Sequence, residues 1–333
     1  MTVKARECGN VRWVLKTLGI SIFACFHACA FVYSAPAEQV KVMTYNIRYS
    51  DGDRDSPDNN WAARREALAQ LVENEKPDVV GFQEVLPDQR AWLEKRFPQY
   101  AFSGCGRNAD RASGEASPIA YLKERFVAVT NGTFWLSTVP DEPGSVSWGA
   151  KYPRICTWAV LEDKTGGGRF SFANTHTDHK SEEAREKGML LIIERMEEFG
   201  ANAPIVFVGD HNCLEFDRPS LAVKKLLDDA LYLSSTPPEG SWRTCNHWVW
   251  LEKDITIAEA LKKPIRERSA KGNVSERIDY IYVSPGTEVS DYRTIPATRP
   301  GTKLFPSDHF PTVVTLVFPK YSSQCRPSTA QGG

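Results

Sequence analysis

Most of this 333-residue chain reads as apolar strands and amphipathic helices, but polar side chains with chemical potential gather where the strands end. Asn46 follows Val-Met-Thr-Tyr, Glu84 sits in Phe-Gln-Glu-Val, and His176 and Asp178 fall in Asn174-Thr-His-Thr-Asp-His179. Asp210 and Asn212 follow Ile-Val-Phe-Val-Gly, Asp279 lies within Arg-Ile-Asp-Tyr-Ile-Tyr, and Ser307-Asp308-His309 leads into the last strand. A carboxylate among buried apolar neighbours is costly unless it is paired, hydrogen-bonded or bound to a cation. Any one of these positions has a bland reading as a strand cap. Together, at successive strand ends, they describe a site.

The residue types narrow the chemistry. Glu84, Asp210 and Asp308 offer oxygen to a hard cation, Asn46 and Asn212 can orient oxygen atoms, and two histidines stand beside carboxylates. No His-x-x-x-His or cysteine cluster favours zinc, so Mg²⁺ is expected, with Mn²⁺ or Ca²⁺ as substitutes. Magnesium retains water and substrate oxygens, which suits phosphoryl chemistry. No glycine-rich phosphate loop follows a strand, which leaves no case for a nucleotide cofactor.

The elements that must position these groups alternate without a low-complexity linker. Strands are predicted at 40–47, 79–85, 119–122, 132–137, 155–162, 169–175, 204–209, 277–284, 289–294 and 310–318. Helices are predicted at 61–75, with Trp61, Arg65, Leu68 and Val72 on one face, and at 87–97, 181–199 and 219–229. Lys164-Thr-Gly-Gly-Gly-Arg169 marks a hairpin. Helices between strands in both halves, with hairpins among them, predict one α/β domain over 38–320 with mixed sheets, and a flexible tail over 321–333.

Ahead of that domain, Lys4, Arg6, Arg12 and Lys16 precede a charge-free run from Leu18 to Tyr33 and an Ala35-Pro36-Ala37 step. Residues 1–37 therefore read as a secretory signal, with a secreted or periplasmic mature chain. An uncleaved anchor and a lipid-attached Cys25 are the alternatives; the run is shorter than the roughly 20 residues a span needs. The whole chain holds 41 basic and 42 acidic side chains; without 1–37 the count is 37 against 41, a formal −4. That balance disfavours a nucleic-acid binder relying on a basic surface. Five cysteines remain, an odd number; Cys213–Cys245 is a possible bridge, and buried free thiols the alternative.

Thr44-Tyr-Asn46-Ile-Arg48, Gln83-Glu84, Asn174-Thr-His176-x-Asp178, Gly209-Asp-x-Asn212, Ile278-Asp279-Tyr280 and Ser307-Asp-His309-x-Pro311 occur in the order found in the endonuclease/exonuclease/phosphatase superfamily. The chain resembles that superfamily from about Val40 to Phe318. The resemblance implies the deoxyribonuclease-I-like fold, a four-layered αββα sandwich of two mixed β-sheets flanked by helices. It implies a divalent-metal-dependent hydrolase that cleaves phosphoesters, foremost phosphodiesters, by attack of water. Glu84 would be the central metal ligand, with Asp308 and Asn46 nearby. Asp210 would position or deprotonate the water, and Asn212, His176 and Asn46 would meet the phosphate. His309, oriented by Asp279, would face the pentacovalent transition state. One departure stands out: His211 occupies the place of a common Phe in Gly-Asp-Phe-Asn. It is either a packing residue turned away from the site or an extra substrate contact.

Asn60-Trp61-x-x-Arg64-Arg65, Gly114-Glu115-x-x-Pro118-Ile119 and Pro153-Arg154-Ile155 resemble a mostly bacterial, often exported branch. Arg154 could reach a phosphate or form a surface ion pair. Nucleic acids, phospholipid or sphingolipid head groups, and small sugar or inositol phosphates all remain open as substrates. Lys262-Lys263-Pro-Ile-Arg266-Glu-Arg268, with Lys271, is a basic stretch, and Trp248-Val-Trp250-Leu251 is either a membrane-dipping hairpin or a packed loop. No obligate protein partner is expected, and a binding module retaining the fold is the non-enzymatic alternative.

Overall fold

The computed structural model describes residues 39–166, 168–200, 203–268 and 276–319. The export segment, Cys325, Lys271 and the C-terminal tail fall outside these residues. Among the described residues, no helix is long and apolar enough to cross a membrane.

Two β–α–β units form the frame. In the first, β1 (Val40–Asn46) and β2 (Val79–Gln83) run parallel, joined by α1 (Trp61–Glu75). After β2 come α2 (Pro87–Arg96), β3 (Tyr100–Ser103), β4 (Ile119–Leu122), β5 (Phe126–Trp135) and β6 (Ile155–Asp163). In the second unit, β7 (Gly168–His176) and β8 (Ile205–Asp210) run parallel, joined by α3 (Glu182–Gly200). The chain then passes through α4 (Arg218–Val223), β9 (Asp228–Asp229), β10 (Glu239–Gly240), β11 (Asp279–Val283), β12 (Glu288–Thr294) and β13 (Thr312–Val317). The sheets have the orders β10-β12-β13-β1-β2-β4-β3 and β5-β6-β7-β8-β11-β9.

Period-two alternation explains the layers. Along β1, Val40 and Val42 enter the core between the sheets, while Met43 and Tyr45 face α1. Along β8, Val206 and Val208 face the other sheet, while Ile205 and Phe207 pack with Met189, Ile192 and Met196 of α3. The result is helix, sheet, sheet, helix, the four-layered sandwich expected from the sequence. Where the two sheets come closest, Gly81 leaves no room for a side chain, since a Cβ would lie 2.6 Å from Val208 Cγ2. Asn174 pins the sheets there: Gln83 Nε2 donates to its Oδ1 at 2.7 Å, and its amide donates to Phe82 O and Pro118 O at 2.8 and 2.9 Å.

Several expectations are corrected. The helix expected at 219–229 stops at Val223, because Asp228 and Asp229 pair with β11 instead. Strand β3 was not anticipated, and β5 starts at Phe126, six residues before its expected beginning. On α1 it is Arg64, not Arg65, that is fully buried; its guanidinium donates to the carbonyls of Ile47, Arg48 (2.6 Å), Asn59 (2.9 Å) and Pro306 (3.2 Å). A charged side chain thus knits together the backbone behind Asn46 and Asp308. Cys213 and Cys245 are both free thiols, so the possible bridge between them is absent.

Candidate active site

The alternation that builds the core also builds the site. Continuing the inward-facing positions of β1, β7, β8 and β11 leads to Asn46, His176, Asp210 and Asp279 at one end of the sandwich. Strand register aligns three of them, with His176 and Asp279 both paired to Asp210. Glu84 follows β2 and would face outward by parity, but its φ of 62° turns it back to the opening; Asn212, just past β8, is also left-handed (φ 48°). Non-glycine residues in the left-handed region cost of order 1 kcal/mol or more and recur at functional sites.

Asn46 is fully buried, and its amide nitrogen donates to Glu84 Oε1 and to Asp210 Oδ2, both at 3.0 Å. Its Oδ1 accepts from Arg48 N at 3.0 Å. Asn46 therefore spaces two carboxylates, and its Oδ1 keeps a lone pair beyond the one that meets Arg48 N. Glu84 Oε2 accepts from Tyr49 N at 3.0 Å. The ligating atoms of Glu84, His176 and Asp210 lie within 4.8 Å of one another. Asp308 stands just outside that group, with Oδ2 at 3.7 Å from Arg48 Nη1, and its charge acts on Glu84.

The charges are strongly coupled. Burial raises the Glu84 carboxyl above its usual range, and the nearby Asp308 and Glu115 add to this. Burial and Asp279 push Asp210 up to about 7. Carboxylates repelling one another in a buried corner are what a hard cation would relieve, so a donor set that holds Glu84 and Asp210 fits such an ion.

Two imidazoles flank Asp210 Oδ2: His176 Nε2 at 3.5 Å and His309 Nε2 at 3.7 Å. His309 Nδ1 meets Asp279 Oδ2 at 2.9 Å. Burial opposes charge on His309, yet the Asp279 carboxylate outweighs it and holds the ring protonated well above the ordinary histidine range. His176 goes the other way: burial, with Arg154 and Arg107 nearby, drives it well below that range. Asn212 N caps Asp210 Oδ1 at 3.0 Å, and its amide nitrogen donates to Thr177 O at 3.1 Å, leaving a second amide proton for a ligand.

Arg154 is 5% exposed, so its ion pair, with Asp178 Oδ2 at 3.8 Å, is buried and not at the surface. It lies along the cleft floor, contacting His179 Nδ1 at 3.0 Å and His176 O at 3.4 Å, while its Nε has no hydrogen-bond partner. Asp178 is structural: it accepts from the backbone N–H groups of Lys151, Lys180 and Ser181 at the start of α3. His211 is fully buried on the outer face, its ring centroid 4.6 Å from Phe207 and 5.6 Å from both Tyr280 and Tyr282, which is the packing role.

All these groups except the buried Asn46, Asp178, His211 and Asp279 line a cleft of about 610 Å³. Sequence reasoning missed Tyr49, Arg107, Lys151, Tyr152, His247 and Glu276 among its walls and gave Glu115 no role there. Arg107 pairs with Glu115 at 2.8 Å and lies over the Tyr152 ring, and Glu115 Oε2 faces His176 Nδ1 at 3.8 Å. Glu115 stood in a motif singled out above, but nothing in its irregular loop signalled where it would point. Of the Trp248–Leu251 segment, Val249 and Trp250 are exposed, with Trp250 stacked on Phe305 at 5.9 Å.

With this geometry in hand, the comparisons with known proteins are specific. The model of the Endonuclease/Exonuclease/phosphatase family matches residues 43–309, and the chain belongs to that family. It is a phosphoric ester hydrolase. A crystal structure of a family protein from Bacteroides thetaiotaomicron is 31% identical, with a TM-score of 0.73, covering 85% of this chain and 96% of that one. A mannosyl-6-phosphatase from the same organism is also 31% identical, with a TM-score of 0.72 and coverage of 84% and 100%. A protein of Acanthamoeba polyphaga mimivirus is 27% identical over 166 residues, 46% of this chain and 59% of the viral protein's length.

Proposed function

We propose that this chain is a divalent-metal-dependent phosphomonoesterase for small polar esters, sugar phosphates foremost. The observation that carries this reading is the cleft itself, a concave space of about 610 Å³ whose walls add Arg48, Arg107, Lys151 and Arg154 to the carboxylate corner. A cavity of that size suits a small ligand, and several cations suit a dianionic phosphate. The similarity to a mannosyl-6-phosphatase supports the same class and moves the weight away from the phosphodiester expected above.

Glu84, Asp210 and His176 would hold the cation. A bound Mg²⁺ or Mn²⁺ supplies charge to the phosphate oxygens and makes water easier to ionise. Asp210 would orient the attacking water beside the two imidazoles that flank it and take its proton. His309, kept cationic by Asp279, faces the charge that develops on phosphorus-bound oxygen. Asn212 and Arg154 hold the phosphate, and Asn46 fixes the spacing of Glu84 and Asp210. Residues 1–37 would direct export, so that the enzyme works outside the cytoplasm; N-terminal sequencing of the exported chain tests this.

The deciding experiment is a panel of hexose phosphates, p-nitrophenyl phosphate, bis-p-nitrophenyl phosphate, DNA, RNA and sphingomyelin, with Mg²⁺, Mn²⁺ or Ca²⁺ and with chelator. Monoesters should turn over fastest and chelator should abolish the reaction. Diesters cleaved as fast as monoesters, or turnover indifferent to chelator, would sink the proposal.

A further inference from the structure

In segment Thr244–His247, Cys245 and His247 bring a thiol and an imidazole to the cleft wall, the thiol beside His309. It is zipped to the entry of β13: Asn246 N and His247 N donate to Asp308 O at 2.7 and 3.2 Å, and Cys245 forms a bridge pair with His309. His247 and Trp248 are consecutive non-glycine residues at φ 51° and 61°. Strain of this kind, of order 1 kcal/mol or more per residue, persists only where the surroundings impose it, and it gathers at functional sites. Here it folds the His247 ring back onto Cys245, bringing Nδ1 to 3.4 Å from Sγ. The far nitrogen, Nε2, faces Glu276 Oε2 at 3.7 Å.

That arrangement has the dimensions of a chelate. A tetrahedral zinc ion with bonds of about 2.3 Å to sulfur and about 2.0 Å to nitrogen holds those two atoms roughly 3.5 Å apart. A carboxylate behind an imidazole fixes the tautomer that leaves the other nitrogen free to bind metal. We infer that Cys245 and His247 form a two-ligand site for a soft divalent cation of the zinc type, separate from the oxygen-rich corner at Glu84 and Asp210. The remaining coordination positions open into the cleft, to water or an anion. On binding, the Cys245 thiol and the His247 imidazolium, which Cys245 and Glu276 hold protonated, each release a proton to solvent. Two protein donors rather than four leave the ion exchangeable, so the site is inhibitory rather than structural. An ion held there stands beside His309 and blocks the approach of the ester. Only this inhibition rests on the hydrolytic reading above.

The test titrates the reduced full chain with Co²⁺, whose thiolate charge-transfer absorption in the near ultraviolet reports a metal–sulfur bond, and then displaces it with Zn²⁺. The wild type should show the band; C245S should lose it, and H247N should weaken it severalfold. His247 is half exposed, so H247N folds even if C245S is impaired. In Mg²⁺-supported hydrolysis, the Zn²⁺ concentration for half inhibition should rise at least tenfold in each variant, each compared with its own zinc-free rate. A band of full strength in C245S, or unchanged zinc potency in both variants, would place the ion elsewhere and overturn the inference. A band without hydrolysis of any ester would overturn the proposed function and leave the zinc site standing.

Discussion

Replacing His211 with Phe should stabilise this protein, and by more in acid than in alkali. The ring is fully buried against Phe207, Tyr280 and Tyr282, and neither of its nitrogens has a hydrogen-bond partner. A buried polar group without a partner costs about 1–3 kcal/mol; the slightly larger Phe returns part of that as crowding. A net gain of about 1–2 kcal/mol is expected at pH 8, a Tm rise of roughly 2–6 °C for a domain of this size. The acid increment follows from linkage. Burial lowers the His211 pKa to about 3, whereas the unfolded chain titrates near the ordinary value of 6.5. The neutral ring's stabilising contribution is complete above 6.5 and lost as pH falls towards 3, because the unfolded chain takes up a proton that the native state refuses. At pH 5 this costs the wild type about 2 kcal/mol, a figure that hardly changes for any folded pKa below about 4. The variant has nothing there to titrate, so its advantage should grow by that amount between pH 8 and pH 5. Urea unfolding at the two pH values measures it directly. An advantage that does not grow in acid would show that His211 has a proton partner after all. A drop in hydrolysis of more than tenfold would show that its ring reaches the cleft.

Asp279→Asn removes the carboxylate that holds His309 protonated; kcat should fall about 10²–10³-fold with KM little changed, and the alkaline limb of the kcat–pH profile should move to lower pH. An unchanged profile would contradict the pairing at 2.9 Å. Mg²⁺ should raise the Tm more at pH 8 than at pH 5, since Glu84 and Asp210, both with raised pKa, give up their protons as pH rises and only then attract a cation; Glu84→Gln should largely abolish that shift in a thermal melt. Asn174→Ala strips three hydrogen bonds from the contact between the sheets, Pro118 O keeping only its bond from Phe82 N at 3.0 Å, a loss of about 2–4 kcal/mol to be read from urea unfolding.

The long elements were legible because burial imposes a period on them. α1 falls on its expected residues, 61–75, and β6, expected at 155–162, runs Ile155–Asp163. β3, β9 and β10 were not, because strands of two to four residues at or near a sheet edge carry too few alternations to register. The site was legible for the converse reason: Asn46, His176, Asp210 and Asp279 are polar residues at inward-facing positions, where the alternation calls for apolar ones. Glu84 was found by composition, although its orientation depends on a left-handed turn that no pattern announces. Arg64 was missed because an arginine on a helix reads as solvated surface, and here its donors face backbone carbonyls of two distant segments. Arg107 and Glu115 were missed because their irregular loop has no period, and their meaning arises only when it folds against His176.

The two imidazoles on Asp210 show how one motif yields two chemistries. Each ring has one nitrogen towards Asp210 Oδ2, at 3.5 and 3.7 Å, and the other towards a carboxylate. From sequence they are equivalent, both histidines beside acids at strand ends. The difference lies in the second carboxylate. Asp279 is 2.9 Å from His309 and hydrogen-bonds it, whereas Glu115 is 3.8 Å from His176 and is already engaged by Arg107. Arg154 adds a second positive charge near His176. One ring is therefore driven to the cation and the other to the neutral form, within reach of the same oxygen. A neutral imidazole can lend a lone pair to a metal, and a cationic one can meet developing negative charge. Asp210 stands between them, so the side of the cleft that binds the cation and the side that meets the transition state are set by which carboxylate an arginine has claimed.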